Sequence, residues 1–425
     1  MHRLNPLLTI FVIIFGSIIL LCSSQAYPFQ KTTTFGNAIN SFTHKSQKIF
    51  IALTGRQPGQ KDAQIEYDNE SFKLNTSLPE DALAFDAGPL SFQHSHYTAD
   101  LIIPHFGSED LSWLSQLPSA IHPIIYTHSS SSQTLPPHAS KTILATKGHE
   151  ALTYLTHITT HYDVLPDILI FTHPHPTAWH NNDLLSLSTA LTLSRLNPHH
   201  VLAAGYFNLR CHWDPGCPTY LHPSSPDPAL LPGSDALRQE EPLVAAAWSD
   251  LFPAEPVPAD IAQPCCGQFA VSRAQVRAQP RARYARVKGW LEETALGDEM
   301  SGRVLEYLWG YLFSGREVSC PDMRSCYCGA YGVCFGSEEG FQGWFEMKWR
   351  RGQYLRELER WALSEREVDK FRRQGRVDEV ALMDKLDPGR IDWLEREIRG
   401  LEEKMERVKR EAWERGRDPK NREID

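Results

Sequence analysis

The chain has no surplus of positive charge. Its 43 Lys+Arg stand against 52 Asp+Glu, and the net charge of −9 excludes a general attraction to nucleic acid or anionic lipid. It also lacks the marks of a disordered or fibrous protein, because 41% apolar, 10% aromatic and 22% charged residues are ordinary for a folded chain. The last 91 residues contain no cysteine and no histidine, although they hold 22 of the Lys+Arg and 23 of the Asp+Glu. The sulfur framework and the histidines therefore belong to the part that precedes them. At 425 residues the chain is too long for one small domain and suits one large domain or two.

What is present begins at the amino terminus. Met1-His2-Arg3 is followed by an apolar run from Leu7 to Leu21 and then by small residues at Ser24 and Ala26. This pattern predicts a secretory signal over residues 1–26, cleaved after Ala26. The run is shorter than the ~20 residues of a usual spanning helix. Stretched over residues 4–22, it reads instead as an uncleaved anchor with Arg3 on the cytosolic side, a single-pass type II arrangement. A buried core helix is the third reading. The first two place the body of the protein in the secretory pathway, either secreted or in the ER or Golgi lumen. Asn69-Glu70-Ser71 and Asn75-Thr76-Ser77 are acceptors for N-glycosylation in a polar stretch, so Asn69 and Asn75 are expected to carry glycans. Without Cys22, eight cysteines remain, an even number that suits disulfides in an oxidising compartment.

Three zones follow the signal: a polar stem over 27–95, a domain over 96–335 and a charged tail over 336–425. Ala99–Ile103, Ile121–Tyr126 and Asp167–Phe171 are short apolar runs between turn residues and predict buried strands. Glu150–Tyr162 and Leu184–Leu196 have helical spacing and predict helices, the second stopped by Asn197-Pro198. Strands alternating with helices predict an α/β fold with a mostly parallel sheet flanked by helices. Ligands of such sheets bind beyond the carboxyl ends of the strands. In the tail, Ile391, Leu394, Ile398, Leu401, Met405, Val408 and Ala412 are spaced alternately by three and four, a heptad seam. It reads either as a helix packed on the domain or as a coiled coil that self-associates over 391–412.

The segment after the strand at Phe171 is dense in polar groups. His173 and His175 alternate on an extended chain and are candidate metal ligands, with His180 and Asp183 near enough in sequence to converge on them or to bind substrate. The alternative is that Asn182 or Asp183 caps the next helix while the histidines fix the loop. Cys211, Cys217, Cys265, Cys266, Cys320, Cys326, Cys328 and Cys334 have spacings that suit a zinc knuckle poorly and disulfides well. Cys265 and Cys266 are expected to reach different loops rather than each other. Met300–Phe313 reads as a largely buried helix that contains Glu306. Arg303, one turn earlier, is the expected partner of that carboxylate; the other reading makes Glu306 a base facing a pocket.

Several segments occur in an order that resembles a known family. They are His173-Pro174-His175, Trp179-His180-Asn181, Gly205–Cys211, Pro215–Pro218, Cys265–Arg273, Ser301–Trp309 and Cys326-Tyr327-Cys328 with Tyr331-Gly332 and Cys334. Together they resemble the fungal family of domain of unknown function 3431 over about residues 98–335. Thr146-Lys147-Gly148-His149-Glu150 departs from the family's Asn-x-Gly-x-Glu pattern, and Pro176 replaces a usual basic residue. The family name implies no activity. Its layout is similar to that of glycosyltransferases of the A type, with a signal or anchor, a lumenal α/β domain and a late helix carrying Glu-Tyr-Leu-Trp. That similarity implies a nucleotide-sugar donor, a glycan or protein acceptor, Glu306 or Asp298 as general base, and Arg210 and Arg303 beside His180 and Asp183 as substrate contacts. Those enzymes commonly hold Mn²⁺ or Mg²⁺ with Asp-x-Asp. Here His-x-His occupies that place, and the nearest acidic match, Glu66-Tyr67-Asp68, lies in the stem. The rival expectations are a non-catalytic secreted or wall-associated binding protein and a metal-dependent hydrolase built on the histidines.

Overall fold

The short apolar runs become strands of one six-stranded sheet in the order β3-β2-β1-β4-β6-β5. In this computed structural model the described residues are 90–127, 139–142, 147–218, 220–225, 240–381 and 388–422, and all of them belong to a compact unit spanning 75–425. The signal or anchor, the stem before residue 90, and Asn69 and Asn75 lie outside the described residues. No helix among the described residues is long and apolar enough to cross a membrane.

β1 (Ala99–His105), β2 (Ile121–Thr127) and β3 (Ala139–Thr142) precede α1 (Ala151–His161) and β4 (Ile168–Phe171). β1 pairs in parallel with both β2 and β4, and β2 pairs in parallel with β3. After β4 come α2 (Thr189–Arg195), α3 (Pro198–Ala204), β5 (Tyr206–Asn208), α4 (Glu240–Leu251) and β6 (Phe269–Ser272). β6 is antiparallel to its neighbours β4 and β5, so the sheet is mixed. Alternate residues of the inner strands supply two cores, as the two-residue period of a strand requires. Leu101, Ile103, Ile168 and Ile170 pack on one face with Trp113, Leu191 and Tyr331. Ile102, Leu169 and Phe171 pack on the other with Tyr154, Phe269 and Trp309.

Two expected helices are broken. Leu184–Leu196 divides into a 3₁₀ turn at Asp183–Leu185 and α2, because Ser186 and Leu187 both have φ of 56°. Ser188, not Asn182, caps α2 by accepting from Leu191 N. The Asn182 amide reaches across instead, donating to Leu209 O at 2.6 Å and accepting from Cys211 N at 2.9 Å. Met300–Phe313 divides likewise. After α5 (Arg273–Ala278) and α6 (Arg281–Glu293), α7 (Asp298–Glu306) ends at Glu306 and α8 (Trp309–Ser314) restarts beyond Tyr307-Leu308.

α9 (Met323–Tyr331) carries two disulfide partners, with bonds joining Cys211 to Cys326, Cys217 to Cys320 and Cys328 to Cys334. The tail consists of α10 (Glu338–Arg373), α11 (Val377–Ala381) and α12 (Pro388–Arg415). α10 and α12 run antiparallel, since Trp344 Nε1 donates to Met405 O, Arg351 pairs with Glu402 and Arg390 pairs with Glu357. The heptad seam is thus occupied within the chain: Leu394 and Ile398 are buried, and Met405, Val408 and Ala412 join the core around Phe341 and Trp344.

Candidate active site

Topology brings four segments to one edge of the sheet. Thr172 and His173 leave the carboxyl end of β4, and Leu209 and Arg210 leave that of β5. β6 is antiparallel with Phe269 opposite Phe171, so Cys265–Gln268 arrive at the same edge. Glu150 stands at the amino end of α1, on the way back from β3. This edge is where open α/β sheets bind ligands.

Cys265 and Cys266 are bonded to each other, contrary to the expectation that they would reach different loops. The backbone makes this possible: Cys266 has φ of 88°, a left-handed conformation rare for a residue with a side chain. The same turn holds the site together. Cys266 N–H donates to Glu306 Oε1 at 2.7 Å. Its carbonyl accepts from His173 Nε2 at 2.9 Å, which fixes that nitrogen as the protonated one. Gly267, with φ of 59°, follows, and a Cβ there would lie 2.9 Å from Glu150 Oε1 and 3.6 Å from Trp309 Nε1. Gln268 accepts from His173 N and donates to Asn181 Oδ1.

Arg303 is not the partner of Glu306. Its guanidinium pairs with Glu240, whose side chain is fully buried and needs a cation more. Glu306 instead accepts from the backbone N–H of Cys266. Burial raises its pKa to about 7, the Glu150 charge adds to the rise, and Cys266 N–H, His173 and Arg303 oppose it. Glu150 is likewise raised to about 7, chiefly by burial, with its own backbone N–H and His149 opposing and Asp298 assisting. Two carboxyl groups raised to about 7 thus stand against one turn, Glu306 at Cys266 and Glu150 at Gly267. Trp309 Nε1 and Tyr154 Oη, both buried beside Glu150, have no hydrogen-bond partner among the described residues. Asp298 stands at the exposed rim, its carboxylate 3.6 Å from His149 Nδ1. Sequence reasoning selected Glu306 and missed Glu150. The glutamate ending the Gly148-His149-Glu150 variant of the family pattern was the available signal.

The histidine loop is arranged differently. The rings of His173 and His180 meet tilted by 51°, with centroids 4.9 Å apart, while His175 is exposed. Burial drives the His180 pKa down to about 2, with His173, Arg210 and His175 adding to the fall, so the ring stays neutral. Its Nε2, together with Thr172 Oγ1 and Arg210 Nε, lines a small polar cavity and has no partner there. Arg210 donates to Asp214 O at 2.6 Å and lies over the Trp179 ring. Asp183 forms an ion pair with Lys348 of α10. Hence His173, His180 and Arg210 come together, while His175 and Asp183 are directed elsewhere. With Nε2 of His173 committed to a carbonyl, that histidine has only Nδ1 to offer a metal. Among the described residues, the one set of ligand-type atoms that falls within 4.8 Å is Cys265, Cys266 and Glu306. Its sulfurs are joined as a disulfide, so the thiolates a soft metal requires are not there.

No curated protein and no solved structure matches the chain. One family model matches residues 101–329, more than half of the chain, and carries the description "Protein of unknown function (DUF3431)". The match covers every strand but the first residues of β1, and it includes Glu150, His173, the Cys265-Cys266 turn and Glu306; the chain belongs to the DUF3431 family.

Proposed function

We propose that the domain transfers a glycosyl group from a nucleotide-sugar donor to a glycan or protein acceptor in the secretory pathway, with Glu306 as general base. The observation that carries this reading is the pair Glu150 and Glu306, gathered by the Cys266-Gly267 turn at the carboxyl edge of the sheet and each raised to about 7. In the reaction the acceptor oxygen bonds to the anomeric carbon and the bond from that carbon to the diphosphate breaks. Glu306 takes the hydroxyl proton, and the diphosphate leaves with the bonding electrons. Glu150, protonated beside it, keeps the pair from carrying two charges. Arg210, which faces the adjacent cavity through Nε, is the cation nearest to a bound diphosphate. A mixed α/β sheet flanked by helices supports the reading only as a fold-level analogy to glycosyltransferases of the A type. Four disulfides fit an oxidising compartment. No step is routed through a metal, because His173 and His175 do not converge.

The test is a thermal-shift series with UDP and GDP, each with and without Mn²⁺, followed by sugar-nucleotide turnover. A nucleotide-dependent rise in Tm that Glu306→Gln leaves intact, with turnover lost, is the expected result. A folded protein that responds to none of these ligands leaves the non-catalytic binding protein as the better reading.

A further inference from the structure

We infer that the bond between Cys265 and Cys266 is a positioning device that holds Glu306 and His173 through the two backbone groups of Cys266. The inference rests on the reading of Glu306 as an acid–base group, and its test reads protonation rather than turnover.

The geometry is specific to this turn. A single residue supplies both the N–H that Glu306 accepts at 2.7 Å and the carbonyl that His173 Nε2 reaches at 2.9 Å. For both to point correctly, Cys266 must keep φ at 88°, which a side chain opposes. The covalent link to its neighbour holds it there. Both sulfurs lie within 4.8 Å of a Glu306 carboxylate oxygen, so the bond touches the carboxylate directly rather than acting as a remote staple. Gly267 continues the left-handed path and makes room for Glu150 and Trp309. The other three disulfides join segments of the fold and have no hydrogen bond to Glu306 or His173.

Opening the bond follows simple redox chemistry. A dithiol passes two electrons and two protons to the pair, its own sulfurs join, the Cys265–Cys266 bond breaks and two thiols form. Cys266 then relaxes toward negative φ, and its N–H and carbonyl turn away from Glu306 and His173. The groups that face Glu306 are Glu150, His173, Arg303 and the Cys266 amide. Losing the amide and the histidine removes two of the three influences that favour the charged form, and the carboxyl pKa rises further.

The experiment uses the full chain and follows the Glu306 carboxyl by infrared or ¹³C-glutamate spectroscopy across pH, with Glu306→Gln identifying the signal. Cys265→Ala/Cys266→Val, which resists positive φ, is expected to raise the Glu306 pKa by about one unit, the worth of one hydrogen bond to a charged group. Cys265→Ala/Cys266→Gly, which accepts that φ freely, is expected to shift it less. Cys265→Ser/Cys266→Ser, nearly isosteric but unlinked, is expected to shift it as the valine variant does and serves if that variant does not fold. Near-ultraviolet circular dichroism reports the fold in each case. A folded serine variant whose Glu306 titrates as in the parent overturns the inference. That outcome leaves the glycosyl-transfer reading untouched, and a failed turnover screen leaves this measurement valid.

Discussion

The carboxylate pair and the histidine loop meet at the Cys266-Gly267 turn, at one edge of the sheet, yet they treat their polar groups in opposite ways. In the loop, density does not mean availability. His173 is tied to a carbonyl, His180 is held neutral by burial, Asp183 is paired with Lys348 and Arg210 is fixed by Asp214 and Trp179. Around the pair the polar residues are few, but Glu150 and Glu306 hold protons that can be exchanged near neutral pH. A cluster conspicuous in sequence can be scaffold, while the residues fit for proton transfer are isolated in sequence and gathered by a turn. His180 Nε2, Thr172 Oγ1 and Arg210 Nε, without partners among the described residues, give the loop one open role, binding a ligand in the small cavity beside His180.

The contrast is broken or sharpened by four measurements, of which the largest effect concerns activity. Glu306→Gln is expected to lower turnover by ~10²- to 10⁴-fold, the usual contribution of a general base. His175→Ala is expected to stay within about twofold, as surface substitutions with no partner do. Equal losses in the two variants, measured as initial rates, would erase the distinction. Next in size, His180→Ala is expected to cost about 1–3 kcal/mol in urea unfolding, since it removes a half-buried ring that contacts both His173 and Trp179.

The third effect is pH-dependent, and its sign follows from linkage. A glutamate with an ordinary value of 4.5 that reaches about 7 in the folded protein ionises first in the unfolded chain. Its stabilising contribution is complete below about pH 4.5 and is lost as pH rises to about 7. Glu306→Gln should therefore gain stability relative to the parent from pH 5 to pH 8, read as the difference in Tm. A constant difference across that range would place Glu306 in solvent. The smallest effect belongs to Lys348→Ala, expected at about 0.5 kcal/mol or less because the lysine end of its pair with Asp183 is well exposed.

Much of this was legible in the sequence for physical reasons. Ala99–Ile103, Ile121–Tyr126 and Asp167–Phe171 announced β1, β2 and β4 because buried parallel strands are continuous apolar runs. β5 and β6 escaped notice as strands, being only Tyr206–Asn208 and Phe269–Ser272 inside segments marked by glycine and cysteine. The break in the Leu184–Leu196 helix depends on Ser186 and Leu187 adopting a left-handed backbone, which their identities do not signal. Glu306 stood out because a charge in an apolar helix demands explanation. Glu150 did not, since its neighbours Lys147 and His149 are polar and its burial comes from Gly267, far along the chain. Adjacent spacing alone disfavours a Cys265–Cys266 bond, and the left-handed backbone at Cys266 that accompanies it is not legible in the sequence.

The tail helices have a practical meaning for anyone who wishes to prepare this protein. The matched segment ends at residue 329, but Phe341, Trp344, Ala412 and Trp413 pack in the same core as β1 and β4. Cys334 N donates to Ala412 O, Arg415 returns a bond to Cys334 O, and the Arg195 guanidinium lies 4.7 Å from the Trp413 ring centroid. A fragment cut at the family boundary would present those apolar faces to water and is expected to aggregate during expression. The shortest clone worth growing carries its reading frame through Arg422, which is itself buried against Gly416 and Gly332.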